Sequence, residues 1–184
     1  MQNENSSAHG IRWGVIIGLV YCLLLFLRFY LGADNAGIFT MVMFVSFITV
    51  IILLFFCGKT FRNKAGGYVE MKEAFKTMFI AILIFEFFYA VFTLVYLKYI
   101  DPQFFDKFRV STENILIMAK QSQVDIDKAL TSVDQWGAQA KSLTVFDFLK
   151  TYLYNVAITG LFALLFAFII KKKQPFPDDN FNRG

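Results

Sequence analysis

The sequence predicts an all-α fold, an integral membrane bundle of four transmembrane helices with an external amphipathic helical hairpin between helices 3 and 4. Composition is the first indication, because 57% of the residues are hydrophobic and only 17% are charged, whereas soluble domains have about half and about a quarter. Twenty-four phenylalanines among 184 residues are more large apolar side chains than a soluble domain of this size could bury. Four apolar runs are also long enough to cross a hydrocarbon core about 30 Å thick, which takes roughly 20 helical residues.

The four runs cover residues 11–31, 38–57, 77–97 and 152–170. Their hydrophobicity is continuous rather than alternating, which favours helices over barrel strands, because a helix satisfies its own backbone hydrogen bonds in lipid. The chain then divides into five parts: a polar N-terminal tail (1–10), transmembrane helices 1–3 (11–97), an extracytoplasmic helical insert (98–147), transmembrane helix 4 (148–171) and a cytoplasmic tail (172–184).

The links between the runs predict how the chain lies in the membrane. Residues 32–37 form a short link of turn residues, so the first two spans should be antiparallel neighbours. The second link is basic, and three further lysines follow the fourth span: Lys59, Arg62, Lys64, Lys72, Lys76, Lys171, Lys172 and Lys173. Positive charge near span ends resists translocation. We therefore expect a multi-pass protein of the bacterial inner (cytoplasmic) membrane with the N-terminus and C-terminus cytoplasmic.

The third link is the only sizeable part predicted outside the membrane, and its seven basic residues are matched by seven acidic ones. Apolar residues recur there at helical spacing, which predicts two amphipathic helices folded back as a hairpin. Leu130, Val133 and Trp136 should face the partner helix or the membrane surface. Two pairs resemble helix caps, Ser122 with Asp125 and Thr144 with Asp147.

No catalytic motif is present, so the expected class is not an enzyme. The single histidine, His9, falls in the predicted polar tail, and Cys22 and Cys57 lie in apolar runs as core-filling residues. These three residues cannot assemble a metal site, and no cofactor is expected. The basic residues stand beside apolar runs rather than along one face, which argues against nucleic acid. The expected partners are the lipid bilayer and a second copy of the chain or another membrane protein.

Glu86 is the first candidate for a functional residue, because it falls near the middle of the third span, where an ionisable side chain is costly. Tyr89 and Thr93 follow at i+3 and i+7, so a polar stripe runs toward the outer surface. The favoured interpretation is a protonated or hydrogen-bonded carboxyl that ties helices together. The alternative is a role in translocation.

Arg28 and Asn155 complete the candidate polar cluster with Glu86 and Tyr89. Arg28 lies toward the outer end of the first span on the face of Gly14, which should meet another helix; its side chain either enters the bundle or extends outward to water. Asn155 of the fourth span has nearly the same depth and could meet Arg28. Glu86 is about 12 Å away from Arg28 in depth, at 1.5 Å per residue, so a water or Tyr89 would have to bridge them.

Four short motifs follow one another in a recognisable order: Gly66-Gly67-Tyr68-Val69, Lys72-Glu73-Ala74-Phe75-Lys76, Asp101-Pro102 and Ile169-Ile170-Lys171-Lys172-Lys173. The chain thereby resembles, over residues 10–175, the bacterial membrane family called domain of unknown function 4199. The resemblance implies four spans and an amphipathic helical insert before the last one. It implies no catalytic or ligand residues.

Two functional hypotheses follow from the sequence. The first is a non-enzymatic interaction or accessory protein whose insert and bundle faces bind a partner or a second copy. The second is a small carrier or channel subunit with an intramembrane polar path around Glu86. The carrier hypothesis requires Glu86 to face a water-accessible cavity, whereas a side chain sealed in packing favours the first hypothesis.

Overall fold

The computed structural model describes residues 5–142 and 144–172, and within them the secondary structure is helical apart from one isolated β-bridge. The helices are α1 (Ser6–Gly32), α2 (Ala36–Lys64), α3 (Met71–Val95), α4 (Phe104–Met118), α5 (Gln123–Lys141) and α6 (Val145–Ile170). A π-helical turn, Tyr96–Ile100, continues α3 directly. The predicted all-helical fold is therefore confirmed for the described part of the chain.

Four of the helices are long and apolar enough to cross a membrane, with mean hydropathies of 2.2 to 2.8. They are α1, α2, α3 with its π-helical turn, and α6, and each contains one of the predicted spans. The first helix begins earlier than expected, because the Asn5 side chain accepts a hydrogen bond from the Ser7 amide and caps the helix at Ser6. Residues 6–10 are thus helical rather than part of a polar tail.

Helix α3 is the centre of the bundle and packs on α1, α2 and α6, whereas α1 and α6 have no substantial interface with each other. Ile17, Leu54 and Phe85 are fully buried in the shared core. Large apolar side chains on the outward faces are exposed, including Leu19 at 59% and Met41 at 69%. Such faces suit contact with lipid.

A seam of glycines brings α1 against the backbone of α3. A methyl group at Gly14 would lie 2.9 Å from the carbonyl oxygen of Ala81, and one at Gly10 would lie 2.5 Å from that of Thr77. One at Gly18 would lie 2.9 Å from the ring of Phe88. The prediction that the glycine face of the first span meets another helix is therefore confirmed.

The basic link and the end of α6 lie together at one end of the bundle, which we call the basic end. Two backbone hydrogen bonds join them, from the Val69 amide to the Lys172 oxygen at 3.0 Å and from the Lys172 amide to the Val69 oxygen at 2.9 Å. Arg62 also donates to the Ile170 carbonyl oxygen at 3.4 Å. Lys173, the last member of the predicted triple lysine, lies outside the described residues.

The opposite end carries the α1–α2 link, the π-helical turn, α4 and α5, and we call it the insert end. Helices α4 and α5 run antiparallel, since Arg109 Nε lies 3.0 Å from Asp134 Oδ1 while Asp106, one turn earlier, lies 3.8 Å from the Lys141 ammonium. The two predicted caps are confirmed: the Ser122 hydroxyl accepts from the Asp125 amide, and Thr144 with Asp147 forms a capping box.

The predicted apolar face of α5 is confirmed for two of its three residues. Leu130 and Val133 are buried, with 6% and 3% of their surface exposed. Trp136 is 53% exposed, and the neighbouring Gly137 takes the buried position instead. A methyl group at Gly137 would lie 3.1 Å from the Cβ of Phe105, so the two helices approach each other too closely there for a large side chain.

Candidate functional site

Arg28, near the end of α1, turns toward the aromatic residues of the insert end. Its guanidinium carbon lies 4.0 Å from the ring centroid of Phe39 and 5.9 Å from that of Phe29, a cation–π geometry. The Nε atom is buried and has no hydrogen-bond partner. The side chain is therefore half-buried against the aromatic rings of the insert end.

Two tyrosines stand between Arg28 and Glu86. The rings of Tyr21 and Tyr89 are stacked, with centroids 5.2 Å apart. The described residues contain no ion pair between Arg28 and Glu86. The expectation that a water or Tyr89 bridges the gap stays a prediction. Sequence reasoning did not assign Tyr21 to the cluster, although it shares the helix face of Gly14 and Arg28.

Glu86 joins α3 to α6 rather than to α1. The Thr159 hydroxyl donates a hydrogen bond of 2.8 Å to its Oε1, and the carboxyl-bearing residue is only 5% exposed. A second bond between the same helices runs from the Tyr152 hydroxyl to the Leu83 carbonyl oxygen at 3.0 Å. The carboxyl is therefore sealed by packing and takes part in an interhelical hydrogen bond.

Asn155 is not brought to Arg28 by any contact that the structure describes. It is half-buried on α6, and α2 and α3 are the two long helices on which α6 packs. Because α1 has no substantial interface with α6, the two residues belong to different helix pairs. The polar residue of α6 that contacts the candidate cluster is Thr159, which lies one turn after Asn155 on the same face and donates to Glu86.

A cleft of about 720 Å³ opens between the bundle and the α4–α5 pair. Each of five helices contributes to its lining, with Arg28 from α1, Phe39 from α2, Tyr89 from α3, Phe108 from α4 and Trp136 from α5. Glu86 does not line it. The cleft was not predicted, because it depends on how the insert folds back over the bundle.

His9 forms a second polar site at the basic end, and its assignment to a polar tail was wrong. The side chain is fully buried, and its Nε2 lies 3.2 Å from both the Cys57 carbonyl oxygen and the Thr60 hydroxyl. The rings of Trp13 and Phe61 are 6.2 Å and 5.5 Å away. One sequence signal could have revealed this burial: His9 precedes Trp13 by one helical turn and is adjacent to the first glycine of the seam.

Cys57 is also fully buried, as expected for a core-filling residue. Among the described residues, no group of three or more His, Cys, Asp or Glu side chains is arranged to hold a metal ion.

The fold and the cleft define a class: a helical membrane bundle of four candidate spans with a pair of amphipathic helices packed at one end. The chain belongs to the family described as protein of unknown function (DUF4199), whose model matches residues 12–172. The resemblance inferred from the short motifs is thereby confirmed. Comparison with curated proteins gave no match, and comparison with solved structures gave none.

Proposed function

We propose that the protein is a non-enzymatic interaction or accessory protein of the bacterial inner membrane, in which the α4–α5 pair is an extracytoplasmic hairpin that binds a partner. The main support for the proposal is a group of exposed apolar residues at the turn between α4 and α5, which we call the tip. Ile117, Met118 and Val124, around the turn from α4 to α5, are 57%, 81% and 76% exposed. Neighbouring exposed apolar residues of this kind are typical of interaction surfaces.

The α4–α5 pair is held firmly enough to present that tip in one orientation. Phe104, Phe108 and Val133 share a buried cluster with Phe29 of α1, and the ring centroids of Phe29 and Phe104 are 5.2 Å apart. The Ala36 amide at the start of α2 also donates to the Ser111 hydroxyl of α4 at 2.7 Å. The pair therefore presents a fixed surface to a partner.

Site-specific photocrosslinking in membranes tests the interaction. A photoreactive residue at Met118 should give an adduct with a protein, either a second copy or another membrane protein, identified by mass spectrometry. The same residue at Gln135, an exposed polar position on α5, serves as the matched control. Adducts with lipid alone at Met118 would contradict a role in protein interaction.

Charge supports the proposed orientation, since the basic end carries the clustered lysines and arginines while the insert is balanced. Reporter fusions at Lys64 and after Arg183 should therefore give a cytoplasmic signal, and a fusion at Gln121 should give an external one. A cytoplasmic Gln121 would overturn the topology without bearing on the photocrosslinks.

The carrier or channel hypothesis is favoured by two contacts between polar side chains of the spans, the stacked rings of Tyr21 and Tyr89 and the hydrogen bond from Thr159 to Glu86. The low exposure of Glu86, 5%, and its separation from the cleft count against this hypothesis. We therefore rank it second, and the Glu86 substitutions described in the Discussion distinguish the two functions.

A further inference from the structure

We propose that the cleft between the bundle and the α4–α5 pair binds an anionic amphiphile, with a carboxylate or phosphate head on Arg28 and an apolar chain along the aromatic wall. This binding site goes beyond the proposed interaction role of the tip, and it stands whether or not the tip contacts a protein.

The charge of Arg28 provides the first argument. Arg28 is the one ionisable residue with a full charge among those that line the cleft, and it forms no ion pair with any described acidic residue. Its buried Nε lacks an acceptor. A guanidinium offers five donors in a planar fork that fits carboxylate or phosphate oxygens, and a charge withdrawn from water is costly until it is paired. An anionic head would supply both the countercharge and the acceptors.

The walls provide the second argument. Phe39, Leu97, Phe104, Phe108 and Trp136 present rings and an aliphatic chain to the space. The volume, about 720 Å³, lies in the usual range for small-molecule sites, roughly 300–1,000 Å³. One cation and a few hydroxyls cannot satisfy a sugar or a nucleotide with many polar groups, whereas one charged head on an apolar chain matches this lining.

The depth of Arg28 provides the third argument. Arg28 is four residues before Gly32, the last residue of α1, so at 1.5 Å per residue it lies about 6 Å below the end of the helix. With the end of α1 at the bilayer surface, this is the level at which the head of an amphiphile meets the hydrocarbon. Two sources share the required chemistry, a free fatty acid and an anionic phospholipid, and the cleft would recognise either by the same contacts.

Fluorescence of Trp136 offers a direct test, because Trp136 lines the cleft and Trp13, at the basic end, is the other tryptophan of the chain. The Trp13→Phe variant in detergent is titrated with dibromostearate, a heavy-atom quencher, and separately with its methyl ester. Quenching by the acid should saturate at a concentration about tenfold lower or better, because charge-assisted hydrogen bonds contribute more than neutral ones. Should Trp13→Phe fold poorly, the same comparison in the unmodified chain remains valid.

Variants assign the effect to Arg28. Arg28→Gln should remove the difference between acid and ester, and Arg28→Lys should retain part of it. Lys98→Gln is the matched control, since it removes one positive charge from an exposed position at the same end and should leave the difference intact. An unchanged difference in Arg28→Gln would overturn the proposal. Equal quenching by acid and ester in the Trp13→Phe protein would exclude a free fatty acid as the occupant and leave the anionic phospholipid, which the nanodisc experiment tests.

Nanodiscs separate the two sources. Brominated phosphatidylglycerol should quench Trp136 more than brominated phosphatidylcholine if the occupant is an anionic phospholipid, and Arg28→Gln should abolish that preference. A response to the free acid alone would identify a fatty acid and also support the proposal. Absence of an Arg28-dependent preference in both formats would reject it.

Discussion

The two halves of α1 meet α3 in different ways. Toward the basic end the contact residues are Gly10, Gly14 and Gly18, and backbone lies against backbone or side chain with no room for a methyl group. Toward the insert end the contact is aromatic and falls on the π-helical turn that continues α3: the Phe29 and Tyr96 rings are stacked with centroids 4.9 Å apart. Small residues on this face of α1 thus let the helices pack tightly toward the basic end, which we call the closed half. Large aromatic residues on the same face lie beside the cleft at the insert end, which we call the open half.

The polar residues of α1 differ in the same way. His9, beside the glycines, is fully buried between α1 and α2 and has hydrogen-bonding neighbours in Cys57 and Thr60. Arg28, beside the aromatic residues, lines an open cleft and retains a buried nitrogen without a partner. His9 in the closed half is thus enclosed by packing, whereas Arg28 in the open half borders the cleft.

The largest expected effect concerns the closed half. His9→Ala should lower the free energy of unfolding by about 3 kcal/mol, because it leaves a cavity and removes the contacts of Nε2 with Cys57 and Thr60. His9→Gln, which keeps a polar group in the site, should cost less than half as much. Denaturant titration in detergent measures both values. Equal costs for the two variants would show that polar contacts contribute nothing there.

A smaller effect is expected at the seam. Gly14→Ala should cost about 2 kcal/mol, since the new methyl group would lie 2.8 Å from the Cβ of Ile84 and 2.9 Å from the carbonyl oxygen of Ala81. Gly160→Ala on α6 is the matched control, because there the nearest atom, in the Phe79 ring, is 3.6 Å away. Thermal unfolding of both variants should separate them clearly. If Gly14→Ala left the free energy of unfolding unchanged, α1 would be able to move away from α3 without losing stability.

Hydropathy, cap chemistry and glycine spacing were enough to predict most of the fold. Long apolar runs are enough to predict the four spans. The Thr144–Asp147 cap is predictable because it joins residues only three positions apart in the chain. The burial of His9 escaped prediction because a search for apolar runs starts after it, at residue 11. Its environment comes from α2, about fifty residues away in the chain, and no local pattern reports that contact.

The candidate site was less accessible to sequence reasoning. The inward orientation of Glu86 follows from its helix face, but its partner could not be chosen between polar residues on several helices. The separation of Arg28 and Asn155 depends on the order of helices around α3, which apolar periodicity does not encode. The cleft needs both that order and the position of the α4–α5 pair, so its lining, from Phe39 to Trp136, emerges only in three dimensions.

The smallest expected effect concerns Glu86, which lies on α3 between Ile84, beside Gly14, and Phe88, beside Gly18. Glu86→Leu removes the acceptor of the Thr159 hydroxyl and should cost about 1 kcal/mol, the usual contribution of an interhelical hydrogen bond in a membrane. Thr159→Val should cost a similar amount. The double variant should cost no more than either single one, because both remove the same bond.

Glu86→Gln should change the free energy of unfolding by less than about 0.5 kcal/mol, because the amide retains an oxygen that accepts from the Thr159 hydroxyl. An ion path predicts the opposite sensitivity, since transport through a carboxyl depends on its charge and on the exchange of its proton. Unfolding measurements and an ion-flux assay in proteoliposomes on the same preparation distinguish the two. If Glu86→Gln remained fully folded yet lost a flux that the unmodified chain supports, the carboxyl would belong to a transport path, and the carrier hypothesis would replace the interaction role as the leading function. Unchanged behaviour in both assays, with a measurable loss of stability only in Glu86→Leu, would place Glu86 with His9 among the polar side chains that serve packing.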